Sequence, residues 1–297
     1  MSDVTDNNFE GRTALITGAG GGLGREYALL LASRGAQVVV NDLGGAGTTG
    51  SAQRVVDEIV AAGGTAIANG DSVSDRAGAK AMVDAAVEAY GQLDIVVNNA
   101  GILRDKSFNK MTEPEIDVVI DVHLRGSFYV CLNAWQHMRE NNYGRIINTT
   151  SNSGLIGNFG QSNYGAAKMG IVGLTRVLAI EGRGRNIHVN AIAPAATTQM
   201  TEGLLTPEAA AALSPARVAP VVAWLAHEEC GTTGEVISAG GGRVARYFIG
   251  LTAGYGSRDL TVEEVREHWD EARDLSAFTV PETPADELAQ FLAMWED

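Results

Sequence analysis

The 297-residue sequence predicts an α/β fold, a doubly wound parallel sheet with helices on both faces and a C-terminal helical extension. Three observations predict it. Short β-branched apolar runs alternate with longer amphipathic stretches. The runs are short enough for strands and apolar enough to be buried on both sides, as parallel strands are. A glycine-rich loop joins the first run directly to the first helical stretch.

Taken in order, the strands are expected at 13–17, 37–41, 65–69, 94–98, 145–149 and 187–192, and the helices near 23–34, 51–62, 75–90, 113–141 and 164–182. A seventh run, 235–238, leads into Gly240-Gly241-Gly242 and closes the sheet. After Arg243 the character changes: 250–258 is a glycine-rich connection, and 261–275 has a Thr cap, early acids and apolar residues at helical spacing. Pro281 and Pro284 precede a last amphipathic stretch at 285–295. Residues 1–242 thus read as one domain, and 243–297 as an extension packed on it, with Trp269, Phe278 and Trp295 available either for its packing or for an apolar wall.

Composition narrows the function. With 45% apolar and 20% charged residues the chain is ordinarily globular, and its net charge of −14 opposes nucleic acids and anionic membranes. Cys131 and Cys230 have neither C-x-x-C nor metal-ligand spacing, so two reduced thiols and no metal site are expected. The polar N-terminus lacks a signal pattern, no apolar run is expected to reach the roughly 20 residues of a membrane span, and Trp295-Glu296-Asp297 differs from a peroxisomal Ser-Lys-Leu ending. The expected location is the cytoplasm.

Strand one runs into Thr17-Gly18-Ala19-Gly20-Gly21-Gly22-Leu23-Gly24. Glycines let a backbone approach a pyrophosphate, and the helix that follows offers free N–H groups and a partial positive charge. The strand–loop–helix setting makes this a Rossmann-type dinucleotide loop with Gly18, Gly22, Leu23 and Gly24 at its turn. Asp42 ends the second strand, where a carboxylate accepts hydrogen bonds from ribose hydroxyls and repels a 2′-phosphate, so NAD is expected over NADP.

Tyr164 and Lys168 lie one turn apart on one helix face, where an ammonium is expected to lower the phenol pKa for acid/base work. Ser151 stands at the C-terminal end of the strand 145–149, on the ligand side of such a sheet, and can hydrogen-bond the carbonyl oxygen that Tyr164 protonates.

With these residues the sequence resembles the short-chain dehydrogenase/reductase family over about 9–242, through Thr17-Gly18 to Gly24, Asp71, Asn98-Asn99-Ala100-Gly101, Ser151, Tyr164, Lys168 and 190–194. The resemblance implies hydride transfer at a nicotinamide, with Tyr164 as acid/base, Ser151 orienting the carbonyl, and Lys168 holding the nicotinamide ribose. It also places Asp71 and Ser72 at the adenine, Asn98 at its ribose, and Ala196, Thr197 and Thr198 on the nicotinamide side. Where most members carry Asn, this chain has His123, either a relay group or a packing residue; Pro194-Ala195 replaces the usual Pro-Gly.

Segments 41–45, 98–105, 123–128, 157–161 and 179–183 resemble more closely the (3R)-hydroxyacyl-CoA dehydrogenase part of peroxisomal multifunctional enzyme type 2, the group that includes 17β-hydroxysteroid dehydrogenase type 4 and free-standing bacterial relatives. That resemblance implies an acyl-CoA or steroid substrate and a homodimer or homotetramer. Arg104, Lys106 and Lys110 form a basic group suited to CoA phosphates, or else ordinary solvated charges. The competing readings are a 3-oxoacyl-carrier-protein reductase, opposed by Asp42 and the acidic charge, a non-catalytic NAD-responsive binding protein, opposed by the intact Ser151, Tyr164 and Lys168, and a metal-dependent alcohol dehydrogenase, which lacks ligands.

Overall fold

The computed structural model describes residues 8–43, 50–197, 206–293 and 295. In chain order it contains β1 (Thr13–Ile16), α1 (Gly22–Ser33), β2 (Gln37–Asn41), α2 (Ser51–Ala61), β3 (Thr65–Asn69), α3 (Arg76–Tyr90), β4 (Ile95–Asn98) and α4 (Glu113–Ile120). Then come α5 (Gly126–Asn141), β5 (Gly144–Thr149), α6 (Asn152–Leu155), α7 (Ser162–Gly182), β6 (Ile187–Pro194), α8 (Pro207–Ala212), α9 (Ala219–Ala226), β7 (Val236–Gly240) and β8 (Arg243–Tyr247). The eight strands form one sheet in the order β3-β2-β1-β4-β5-β6-β7-β8. Its first seven strands pair in parallel.

Strict alternation along each strand builds two cores. Ile16, Val38, Val40, Val97 and Ile147 face Tyr27 and Leu31 of α1, Val55 and Ile59 of α2, and Val222 and Leu225 of α9. Their neighbours Leu15, Val39, Val96, Ile146 and Val189 face Met82 and Val83 of α3 and Val130, Ala134 and Met138 of α5. Both faces are dry, which is why the strands read as unbroken apolar runs. The order reverses between β1 and β4, so their C-terminal ends diverge and open a crevice.

Several expectations change in detail. The last run does not end the sheet: Gly241 (φ 59°) and Gly242 (φ 80°) form a two-residue turn that returns β8 beside β7. Positive φ at both positions suits a hairpin, and so short a link requires β8 to be antiparallel. The helix expected over 113–141 is interrupted by a π-turn at Asp121–Arg125, between α4 and α5. Contrary to expectation, residues 207–226 hold a window of mean hydropathy 1.4 and are long and apolar enough to cross a membrane, but they divide into α8, a short turn and α9. Val222, Leu225 and Ala226 of α9 are buried in the core.

By compactness the chain divides into Met1–Arg246 and Tyr247–Asp297. The second unit contains β9 (Leu251–Thr252), α10 (Val262–Glu267), α11 (Trp269–Ala272), β10 (Phe278–Thr279) and α12 (Pro284–Leu292). It is therefore less purely helical than expected, because β9 and β10 pair antiparallel and Phe248 stacks on Phe278 at 5.6 Å. The stretch at 261–275 breaks at His268, where α10 ends and α11 starts. Trp269, Phe278 and Trp295 remain half exposed.

Candidate active site

The crevice at the switch point is a cleft of about 710 Å³, lined at one end by Gly18, Gly21, Gly22, Leu23 and Asp42, and at the other by Ser151, Tyr164 and Lys168. Its glycine loop is shaped by packing from below. Gly18 has φ 62°, and a Cβ there would lie 2.7 Å from the Ala100 Cα; at Gly24 a Cβ would lie 2.4 Å from the Gly18 carbonyl oxygen. Asn99 completes the support by donating through Nδ2 to the Thr17 and Gly18 carbonyls, at 3.1 and 3.0 Å. Gly21 caps α1 without a side chain, so no side chain fills the space above the helix's first N–H groups. A diphosphate fits there.

Asp42 does two jobs that its sequence position only half suggests. Its Oδ2 accepts the Gly20 N–H at 2.9 Å and its Oδ1 accepts the Ser51 hydroxyl at 3.0 Å, closing the loop against α2. The carboxylate still lines the cleft and keeps lone pairs free to accept further hydrogen bonds there.

At the other end β5 runs out at Thr149, and Ser151 follows as the cap of α6, accepting from the Ser153 N–H at 3.2 Å. The Ser151 hydroxyl donates to Asn152 Oδ1 at 3.2 Å and lines the cleft together with Tyr164. Lys168, fully buried, donates from Nζ to the Thr149 carbonyl at 2.6 Å, with Nζ 5.5 Å from the Tyr164 ring centroid. Burial lowers its pKa to about 7. The phenol moves opposite to expectation: burial raises the Tyr164 pKa, the nearby Ser151 hydroxyl opposes that shift, and the Asp105 charge adds to it. Desolvation of the phenolate outweighs a lysine ammonium that is itself turned toward Thr149.

Behind the pair sits His123, brought inward by the π-turn and only 2% exposed. Its ring meets that of Tyr164 edge-on at 5.1 Å, and its Nε2 lies 2.8 Å from the Ile102 carbonyl and 3.0 Å from the Ile102 N–H. Burial, then the Lys168 charge, lowers its pKa to about 3, so the imidazole is neutral, and Nδ1 is buried without a partner. Gly101 makes room for it: a Cβ there would lie 2.3 Å from His123 Cε1.

Ser151, Tyr164, Lys168, His123, Gly18, Gly22, Leu23, Asp42 and Ala196 therefore converge on one cleft. The other expected contacts lie away from its lining. Asn98 is buried, its amide donating to Asn148 at 2.8 Å and to the Cys131 sulfur at 3.2 Å. Asp71 accepts from Asn69 at 2.7 Å, and Ser72 pairs with Ser74 at 2.9 Å. The Thr197 hydroxyl donates to the Ala210 carbonyl at 3.3 Å. Thr198 lies outside the described residues. Cys131 and Cys230 are both buried and free.

One supporting residue escaped sequence reasoning. Asn163 is buried at the start of α7; its Nδ2 donates to the Arg104 and Glu115 carbonyls at 3.1 and 2.9 Å, while its Oδ1 accepts the Tyr164 N–H at 2.7 Å. Its only local signal is an Asn in the first turn of a helix, immediately before the tyrosine.

Comparison with known proteins agrees with this geometry. The family model for short chain dehydrogenases matches residues 12–209. Peroxisomal multifunctional enzyme type 2 of Mus musculus is 49% identical over 93% of this chain, which spans only 38% of that protein. A short-chain type dehydrogenase/reductase of Mycobacterium tuberculosis is 50% identical over 89% of this chain and 95% of its own length. Among solved structures, the multifunctional enzyme type 2 of Drosophila melanogaster superposes with a TM-score of 0.83 and 41% identity over 97% of this chain and 50% of that one. A 7α-hydroxysteroid dehydrogenase complexed with NADH superposes with a TM-score of 0.74 and 30% identity over 82% of this chain and 98% of that one. With a family model matched across most of the sheet and a relative of nearly equal length half identical to it, the chain belongs to the short-chain dehydrogenase family of oxidoreductases, which act on small molecules with NAD or NADP.

Proposed function

We propose that the protein interconverts a (3R)-hydroxyacyl-CoA and the 3-ketoacyl-CoA, with NAD as cofactor. The observation that carries the redox step is the convergence of Ser151, Tyr164 and a buried Lys168 on one end of a cleft whose other end is the glycine loop. A bound nicotinamide supplies or accepts the hydride. In reduction, Tyr164 gives its proton to the carbonyl oxygen, and burial favours the protonated phenol that this requires. Ser151 donates to the same oxygen and fixes its distance from Tyr164. Lys168, its pKa lowered to about 7 by burial, adds positive potential beside the phenol in its charged form. In oxidation the proton moves the other way.

The choice of NAD rests on Asp42, whose carboxylate would face a 2′-phosphate with like charge. The choice of an acyl-CoA rests on the resemblance to multifunctional enzymes. Of the three cations proposed for CoA phosphates, Lys106 is paired with Glu115 at 2.5 Å, which leaves Arg104 and Lys110 as the exposed candidates. Phe128 and Leu132 on α5 and Val177 and Ile180 on α7 are exposed apolar residues on two long helices, consistent with a homodimer or homotetramer built on them. The test is an assay of purified protein against 3R- and 3S-hydroxyacyl-CoA and 17β-hydroxysteroids with NAD and NADP. Turnover of the 3R thioester with NAD is the expected result; turnover of steroids alone replaces the acyl-CoA reading.

A further inference from the structure

Asp105 lies on the cleft wall with Asn158, Gln161, Ser151 and Tyr164. Two loops make this wall, joined by a hydrogen bond from the Lys106 N–H to the Gly160 carbonyl at 2.8 Å. A directed chain of amides fixes the Asp105 carboxylate: Asn158 Nδ2 donates to Gln161 Oε1 at 3.0 Å, and Gln161 Nε2 donates to Asp105 Oδ2 at 2.7 Å. Because Asn158 occupies the oxygen of the Gln161 amide, its amino group turns to Asp105, which must then be an acceptor. Of the cations nearby, Arg104 is exposed, donates to the Leu103 carbonyl at 2.7 Å and does not line the cleft; the other two are engaged elsewhere. Lys106 pairs with Glu115, and Lys168 is buried on the Thr149 carbonyl. Among the described lining residues the charge-bearing side chains are Asp42, Asp105 and Lys168, with His123 held neutral, so Asp105 places an unpaired negative charge at the reacting end. That charge already acts on the Tyr164 phenol.

We infer that Asp105 is a specificity-determining residue that favours substrates whose reacting group is flanked by a neutral ester or thioester and rejects the corresponding free 3-oxo or 3-hydroxy carboxylates. The inference rests on the oxidoreductase reading above. A carboxylate beside the reacting carbon would lie in the same partly solvated cleft as Asp105, where like-charge repulsion amounts to about tenfold in binding of the reacting state. A neutral thioester meets no such penalty. Once the acid is joined to a thiol carrier its own charge is gone, so the site selects activated acids without contacting the carrier.

The test compares wild type with Asp105→Asn, using NADH and three ketones: acetoacetyl-CoA, ethyl acetoacetate and acetoacetate. NADH binding by fluorescence checks that the variant is folded. The expected result is that the ratio of kcat/KM for acetoacetate to that for ethyl acetoacetate rises about tenfold, whatever common change the altered Tyr164 environment brings to both. An unchanged ratio of acetoacetate to ethyl acetoacetate overturns the inference, and so does a parallel loss on all three. If acetoacetyl-CoA is inert while the ester and acid respond as stated, the acyl-CoA reading fails and the charge selection stands. No turnover of any ketone overturns both.

Discussion

Lys168→Met should separate stability from function at a single atom. The substitution keeps most of the buried stem and removes the ammonium. In the native protein the Lys168 pKa falls from 10.5 to about 7 because burial penalises the charge. In the unfolded chain it returns to its ordinary value. Between these two pKa values the unfolded state therefore binds more protons, and the wild type gains stability as pH rises through the window. Below about pH 7 the lysine is charged in both states and the full penalty is present. Converted at 1.36 kcal/mol per pH unit, the shift sets an upper limit of about 5 kcal/mol for the change in the wild-type-to-variant stability gap across that window. The variant also leaves the Thr149 carbonyl without its donor, a cost of about 1–3 kcal/mol that does not vary with pH. The pH dependence of the gap is thus the clean readout. Urea unfolding of the cofactor-free proteins at several pH values from 6 to 10 measures it. The variant is expected to compare best with wild type at pH 6 and worst at pH 10, while losing turnover. A gap that stays constant, or widens in the variant's favour as pH rises, would refute the reasoning.

Asp42→Ala should narrow the preference for NAD over NADP, read as the ratio of kcat/KM values. Because the same carboxylate holds Gly20 and Ser51, we also expect a stability loss of about 1–2 kcal/mol in urea titrations; a ratio unchanged from wild type contradicts the cofactor assignment. Gly101→Ala should drive a methyl into a histidine that is bonded to Ile102 and wedged against Tyr164, costing about 1–3 kcal/mol by overpacking. Thermal unfolding and kcat should both fall, and unaltered values in both would show that His123 moves aside freely.

The sheet and much of the site were legible in the sequence because local chemistry demands them. Val38-Val39-Val40 and Ile95-Val96-Val97 admit little but strands buried on both faces. Gly18 and Gly24 occupy places where a Cβ would strike backbone, so the glycine loop is written into the chain. Features set by tertiary packing left fainter marks. The π-turn at 121–125 has no pattern of its own, yet it turns His123 beneath Tyr164. The hairpin to β8 was misread because Gly241-Gly242 looks like a terminus as readily as a turn. The direction of the Tyr164 shift depends on how deeply the phenol is buried and where Lys168 points, neither of which the Tyr164–Lys168 spacing contains. The Asn98 amide also bonds Asn148 and the Thr197 hydroxyl the Ala210 carbonyl, structural roles that their residue types do not announce.

The central claim is that Tyr164 passes the proton that accompanies hydride transfer, and Tyr164→Phe tests it with least disturbance because the ring against His123 is preserved. The measurement is single-turnover oxidation of NADH by acetoacetyl-CoA, followed by absorbance, with NADH affinity determined separately by fluorescence. The expected result is a rate reduced by about 10² to 10⁴ with cofactor affinity within twofold of wild type. Retention of more than about a tenth of the wild-type rate would contradict the assignment, since a positioned acid is worth more than that.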